Sequence, residues 1–158
     1  MTSLYQAMLS QAAFGQWLHP RDVSQFSAAE IRQTMAELVA NDRVELANAL
    51  AAAGQSLYPE SEDILAMTAL LSEIQQDWTS AEEHLRKLVQ VQGEAATPFT
   101  WRHLIRVLRC QCEPSKAMHA AQQALAHYPD DALLQEELLL LKALLTDRMP
   151  MTASVQMH

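Results

Sequence analysis

The side chains in this sequence that are able to do chemistry are few and scattered. His84, His103, His119 and His127 fall on separate expected helices or at helix ends, so no pair is set for general acid–base work. Cys110 and Cys112 lie two apart on one expected helix, which turns them about 200° from each other. They are therefore expected as reduced thiols, neither a disulfide nor, with His103 or His119, a zinc site. Reduced cysteines suit a cytoplasmic protein. Glu60, Glu62 and Asp63, like Asp130 and Asp131, stand at expected helix starts, where carboxylates complement the helix dipole; they are read as caps. There is no G-x-S-x-G, no glycine-rich phosphate loop and no H-E-x-x-H. The expectation is a non-enzymatic protein with no catalytic residue, no metal and no cofactor.

One charged pattern is organised. Arg102, Arg106 and Arg109 recur at i, i+4 and i+7, within about 60° on a helix, with His103 beside them. No acidic residue occurs from 97 through 112. The remainder of the chain sets eight basic residues against all nineteen acidic ones, and the whole carries −8. Such a protein repels phosphates, which excludes nucleic acid as the main partner. The row itself is a place for carboxylates.

These side chains must be carried by helices. The 158 residues contain three glycines and 6 % aromatics, too few for the many tight turns of a sandwich or barrel. Apolar residues make up 49 %, enough for a core, and Ala, Leu, Gln, Glu and Met are helix formers. Apolar residues at three- and four-residue spacing predict helices over about 3–18, 28–41, 44–57, 62–75, 78–92, 98–111, 115–127 and 131–146. The most apolar stretch, Leu138 to Leu145, is short and contains Lys142, as suits a core helix and not a membrane span. No Lys or Arg precedes Arg21, unlike the start of a secretory signal.

The helices pair, and the pairs repeat. In 98–131, Trp101, Leu104, Ile105 and Leu108 form the apolar stripe of a first helix. Ala117, Ala121 and Ala124 form a small-residue stripe on a second, and Pro129 closes the unit. In 28–61, Ile31, Leu38, Ala47, Ala51 and Pro59 fall at the same offsets, with Gly54 at the last small position. In 62–97, Leu65, Ala69, Trp78, Ala81 and Leu85 match, while Thr68 and Ser72 stand where large apolar residues are expected. Ala47, Ala81 and Ala117 recur at spacings of 34 and 36, the extra two residues falling in the loop 92–97. This pattern resembles the tetratricopeptide repeat (TPR) over residues 28–131. The chain then divides into 1–27, an N-terminal helix and joint; three repeats, 28–61, 62–97 and 98–131; a C-terminal capping helix, 132–146; and a flexible tail, 147–158. The resemblance implies an all-α, right-handed stack of about three TPR hairpins with an extra helix at each end.

It also implies work: a concave groove, lined by the second, fifth, ninth and twelfth positions of each first helix. These are Ala29, Arg32, Ala36 and Val39, then Asp63, Ala66, Leu70 and Glu73, then Phe99, Arg102, Arg106 and Arg109. Arg32, Leu70, Phe99, Arg102, His103, Arg106 and Arg109 are the candidate partner-binding residues, and the partner expected is a protein segment offering carboxylates beside apolar side chains. Arg32 and Ala36 replace the Lys and Asn of carboxylate-clamp TPR proteins. Size, acidity and terminal helices are similar to the small TPR chaperones of bacterial type III secretion systems, which hold subunits before export. On the last helix, leucines span an arc from about 140° to 300° with Gln135 at 0°, broken by Glu137, with Leu139 outside it. Leu139, Leu140 and Leu144 are candidates for a homo-oligomer interface. The N-terminal helix, with Leu4, Met8, Phe14, Trp17 and Leu18, is left open between capping the stack, filling the groove and dimerising.

Overall fold

In the computed structural model, residues 3–13 and 23–148 are described. Among them the secondary structure is helical, with no strand. The helices are α1 (Leu4–Ala13), α2 (Ala28–Ala40), α3 (Val44–Leu57), α4 (Glu62–Ile74), α5 (Trp78–Gln92), α6 (Pro98–Cys110), α7 (Pro114–His127) and α8 (Ala132–Arg148), with a short 3₁₀ turn at Gly93–Ala95. Residues 147 and 148, expected in a flexible tail, belong to α8. The expected helical residues 14–18, Phe14, Trp17 and Leu18 among them, lie outside the described residues, as do 149–158. The chain divides into two compact units, residues 1–96 and 97–158.

In the first unit, α2 pairs with α3, α4 pairs with α5, and α4 packs against both helices of the preceding hairpin. α1 rests on α2, with Leu4 and Met8 buried in a core shared with Ile31, Met35, Leu38, Leu50, Ile64 and Leu71. The described part of the N-terminal helix thus packs on the first helix of the first hairpin. In the second unit α7 packs between α6 and α8, burying Leu104, Ile105, Leu108, Ala117, Ala121, Leu134 and Leu141.

The repeat is written in backbone chemistry as well as in apolar spacing. Ser27, Ser61, Thr97 and Asp131, at intervals of 34, 36 and 34 residues, each accept a hydrogen bond from the backbone N–H three residues on, at 3.2, 3.4, 3.3 and 2.9 Å. They satisfy orphan donors at the starts of α2, α4, α6 and α8, so α8 begins as the first helix of a fourth repeat. At Ser27 the cap is reciprocal: the Ser27 N–H donates to the Glu30 carboxylate at 2.8 Å. That bond, with the one from the Ser27 side chain, holds the Glu30 carboxyl below its ordinary range. The turn inside each hairpin recurs too. Asp42, Gln76 and Cys112 have φ of 57°, 59° and 58°. The N–H groups of Arg43, Asp77 and Glu113 reach back to the carbonyls of Leu38, Ser72 and Leu108 at 2.8, 2.9 and 3.0 Å. This is a Schellman closure, whose left-handed residue is ordinarily glycine. Gln76→Gly is expected to stabilise the protein by about 1 kcal/mol by removing the Cβ penalty, read as a higher urea midpoint at unchanged slope; an unchanged or lowered midpoint contradicts it.

Thr68 and Ser72, polar at apolar template positions, are buried without loss of hydrogen bonding. Thr68 Oγ1 donates to the Ile64 carbonyl at 2.7 Å and Ser72 Oγ to the Thr68 carbonyl at 3.0 Å. Asn48 of α3 and Gln75 at the end of α4 exchange two amide hydrogen bonds, both 2.9 Å, tying one hairpin to the next.

Candidate functional site

Pro98 at the first position of α6 and the Thr97 cap start a helix with two unlike faces. Thr100, Trp101, Leu104, Ile105, Val107 and Leu108 are buried. The other face shows Phe99, 75 % exposed, then half-buried Arg102 and His103, then exposed Arg106, Arg109 and Cys110. The Phe99 and His103 rings meet at a 55° tilt with centroids 6.4 Å apart, a spacing at which edge and face attract. Arg102 Nε is buried and has no hydrogen-bond partner among the described residues. Arg109 Nη1 donates to both oxygens of Glu137 on α8, at 3.0 and 3.4 Å. Glu137 was not foreseen as a partner. Its signal was the single polar break in the leucine arc of α8.

The seven groove candidates fall in both units. Arg32 and Leu70 belong to the first; Phe99, Arg102, His103, Arg106 and Arg109 belong to the second. Arg32 does not stand alone: its Nε is 3.4 Å from Asp63 Oδ1, linking α2 to α4, with both side chains half-exposed. Such a pair is worth little in stability but sets the side chain's direction. Leu70 is 40 % exposed, and Ile74, one turn further on α4, is 48 % exposed; the sequence template had not singled out Ile74.

The three oligomer candidates do not share a face. Leu140 and Leu144 join Leu133 in a row within about 40° of arc, each nearly half-exposed. Leu139 lies about 100° from Leu140 and is 66 % exposed. Leu134 and Leu141, on the side toward α7, are fully buried, and Leu138 and Leu145 are half-buried.

Among the described residues no group of three His, Cys, Asp or Glu is placed to hold a metal. His84 is half-buried on α5, and burial pulls its pKa below the ordinary value, against the raising effect of Glu83. The expectation that both cysteines ride one helix is corrected. α6 ends at Cys110, and Cys112 occupies the left-handed turn position. Both thiols are exposed and free, and both line one pocket of about 550 Å³ with Arg106, Arg109, Pro114 and Leu144.

Charge is divided between the units. Residues 1–96 hold five basic and thirteen acidic side chains, and residues 97–158 hold six of each, so the net −8 belongs to the first unit. Among the described residues no helix is long and apolar enough to cross a membrane.

No protein-family model and no curated protein matches the sequence. Solved structures do. The chain is similar to a chain of the APC/C hetero-tetramer Cut9–Hcn1, at 15 % identity and a TM-score of 0.58, over 90 % of this chain and 29 % of that one. It is also similar to the assembly chaperone of RpL4 (Acl4, residues 1–338), at 13 % identity and a TM-score of 0.55, over 90 % and 57 %. The chain thus spans well under two thirds of either neighbour's length. Both are TPR-like helical-repeat proteins, and the fold of this chain is of that all-α, TPR-like kind.

Proposed function

We propose that this protein is a non-enzymatic adaptor or chaperone that binds a segment of another protein along the exposed face of α6. The observation that carries this reading is the arginine row of α6, set beside an exposed phenylalanine in a TPR-like fold. Arg102, Arg106 and Arg109 offer guanidinium donors, Phe99 offers an apolar anchor, and Leu133, Leu140 and Leu144 on α8 extend the apolar surface. A peptide with carboxylates next to large apolar side chains fits both chemistries. The unpartnered Nε of Arg102 would gain an acceptor from it. By their descriptions one structural neighbour is a chain of a hetero-tetramer and the other is an assembly chaperone, which supports the same class of work. Within this class the narrower reading is a cytoplasmic chaperone of the bacterial type III secretion kind, supported by acidity and by the helices that flank the repeats.

The test is Arg102→Glu combined with Arg106→Glu. Both side chains lie off the buried stripe, so the far-ultraviolet dichroism is expected to be unchanged and Tm nearly so. Binding of a partner isolated by affinity capture from the native host is expected to fall below detection. Retained binding by the folded double variant removes the basic face as the site.

A second reading has its own observation. The exposed row Leu133, Leu140 and Leu144 suits a helix-to-helix contact between copies of the chain. Sedimentation decides it: a strict monomer at high concentration excludes self-assembly.

A further inference from the structure

The pocket at the end of α6 sets two cysteines, which the peptide-binding reading does not use, beside Arg106, Arg109 and Leu144, which it does. Cys110 closes the helix. Cys112 follows in the left-handed turn, its N–H donating to the Arg109 carbonyl at 3.0 Å, and both thiols are free. Arg106 and Arg109 line the same cavity of about 550 Å³, with Pro114 and Leu144 as apolar wall. Two nucleophilic sulfurs therefore share one concavity with two permanent cations. Arg109 also holds Glu137 at 3.0 Å, but a guanidinium has five donors and can serve a second carboxylate.

The geometry points to a site of thiol–disulfide exchange with small anionic disulfides, chemically of the glutathione disulfide class. One cysteine sulfur, as thiolate, attacks a sulfur of the bound disulfide. A new bond joins the two sulfurs, the old S–S bond breaks, and its electron pair departs on the second half as a thiolate. The protein thiol is oxidised and the incoming disulfide is reduced, so no other oxidant enters. Arg106 and Arg109 receive the carboxylates of the incoming molecule, and Pro114 and Leu144 cover its methylene body. A free thiol reverses the adduct by the same exchange.

The full chain is reacted separately with oxidised glutathione, which is anionic, and with cystamine, which is cationic. Adducts are followed by intact mass and located by peptide mapping. Each rate is divided by that of a blocked Cys-Gln-Cys tripeptide, which removes the intrinsic reactivity of the two disulfides. At low salt the normalised glutathione rate is expected to exceed the normalised cystamine rate by about tenfold, an ordinary size for electrostatic steering into a charged cleft. The ratio is expected to collapse toward one at high salt and in the Arg106→Gln, Arg109→Gln double variant. Equal normalised rates at low salt, a faster cystamine reaction, or a preference that survives high salt overturns the assignment. The salt series uses the unaltered protein, so it decides even where the double variant does not fold. No partner protein enters the assay, so it stands or falls apart from the peptide-binding reading.

Discussion

Gly54→Leu is expected to destabilise the first unit by about 3 kcal/mol, the upper end of what overpacking a core costs. Ala47, Ala51 and Gly54 form the buried small-residue face of α3. A Cβ placed on Gly54 would stand 3.2 Å from Ile31 Cγ2, 3.2 Å from Ile64 Cδ1 and 3.5 Å from Ile64 Cγ2. Ile31 and Ile64 are themselves fully buried, on α2 and α4, so neither has open space into which to retreat. One methyl group is nearly tolerable, because alanine returns up to about 1 kcal/mol of helix propensity against the tight contact. An isobutyl group has no such offset and must wedge α3 away from both neighbours. For a unit of this size, Tm should fall by more than about 10 °C. Ala52→Leu, on the exposed side of the same helix, is the control and should stay within about 0.5 kcal/mol of the parent. A Gly54→Leu protein that melts with the parent would mean that α3 is not clamped between α2 and α4 as described.

That glycine shows what the sequence makes legible. Ala47, Ala81 and Ala117 recur with the repeat because close helix approach needs a small side chain at one position per hairpin, and the period survives in a single chain. The caps at Ser27, Ser61, Thr97 and Asp131 are equally local, since each acts three residues from itself, yet the sequence reading names only Asp131 among them and assigns the start of α4 to Glu60, Glu62 and Asp63, where Ser61 is the cap. Features that depend on the neighbouring helix are not legible in this way. The Arg32–Asp63 pair spans α2 to α4 and the Arg109–Glu137 pair spans α6 to α8; helical spacing places each residue on a face but not against its opposite number. Thr68 and Ser72 break the apolar template, and only the carbonyls one turn behind them explain how they are buried. The cysteines fail for another reason. Angular separation on a helix holds only while the helix continues, and α6 stops between them, so residues expected to diverge line the same pocket.

Leu141→Ala is expected to cost about 3 kcal/mol, within the range for removing a fully buried leucine, while Leu140→Ala, one residue earlier, is expected to cost less than about 0.5 kcal/mol in the monomer. The contrast follows from which side of α8 meets α7. Leu134 and Leu141 are fully buried and Leu140 is 47 % exposed, so truncation empties a packed site in one case and trims a half-wetted surface in the other. Urea unfolding of both variants at two well-separated protein concentrations makes the comparison informative about function as well. If Leu140 faces only solvent or a foreign partner, the Leu140→Ala loss is small and the same at both concentrations. If the row Leu133, Leu140 and Leu144 is a contact between copies, the Leu140→Ala loss grows with concentration, because the parent alone is stabilised by mass action. Leu141→Ala loses stability at either concentration on both accounts, since its partner is the helix beside it in the same chain. A Leu141→Ala protein as stable as the parent would show that α8 does not dock on α7 through this side, and the exposed leucine row would then lose its definition with it.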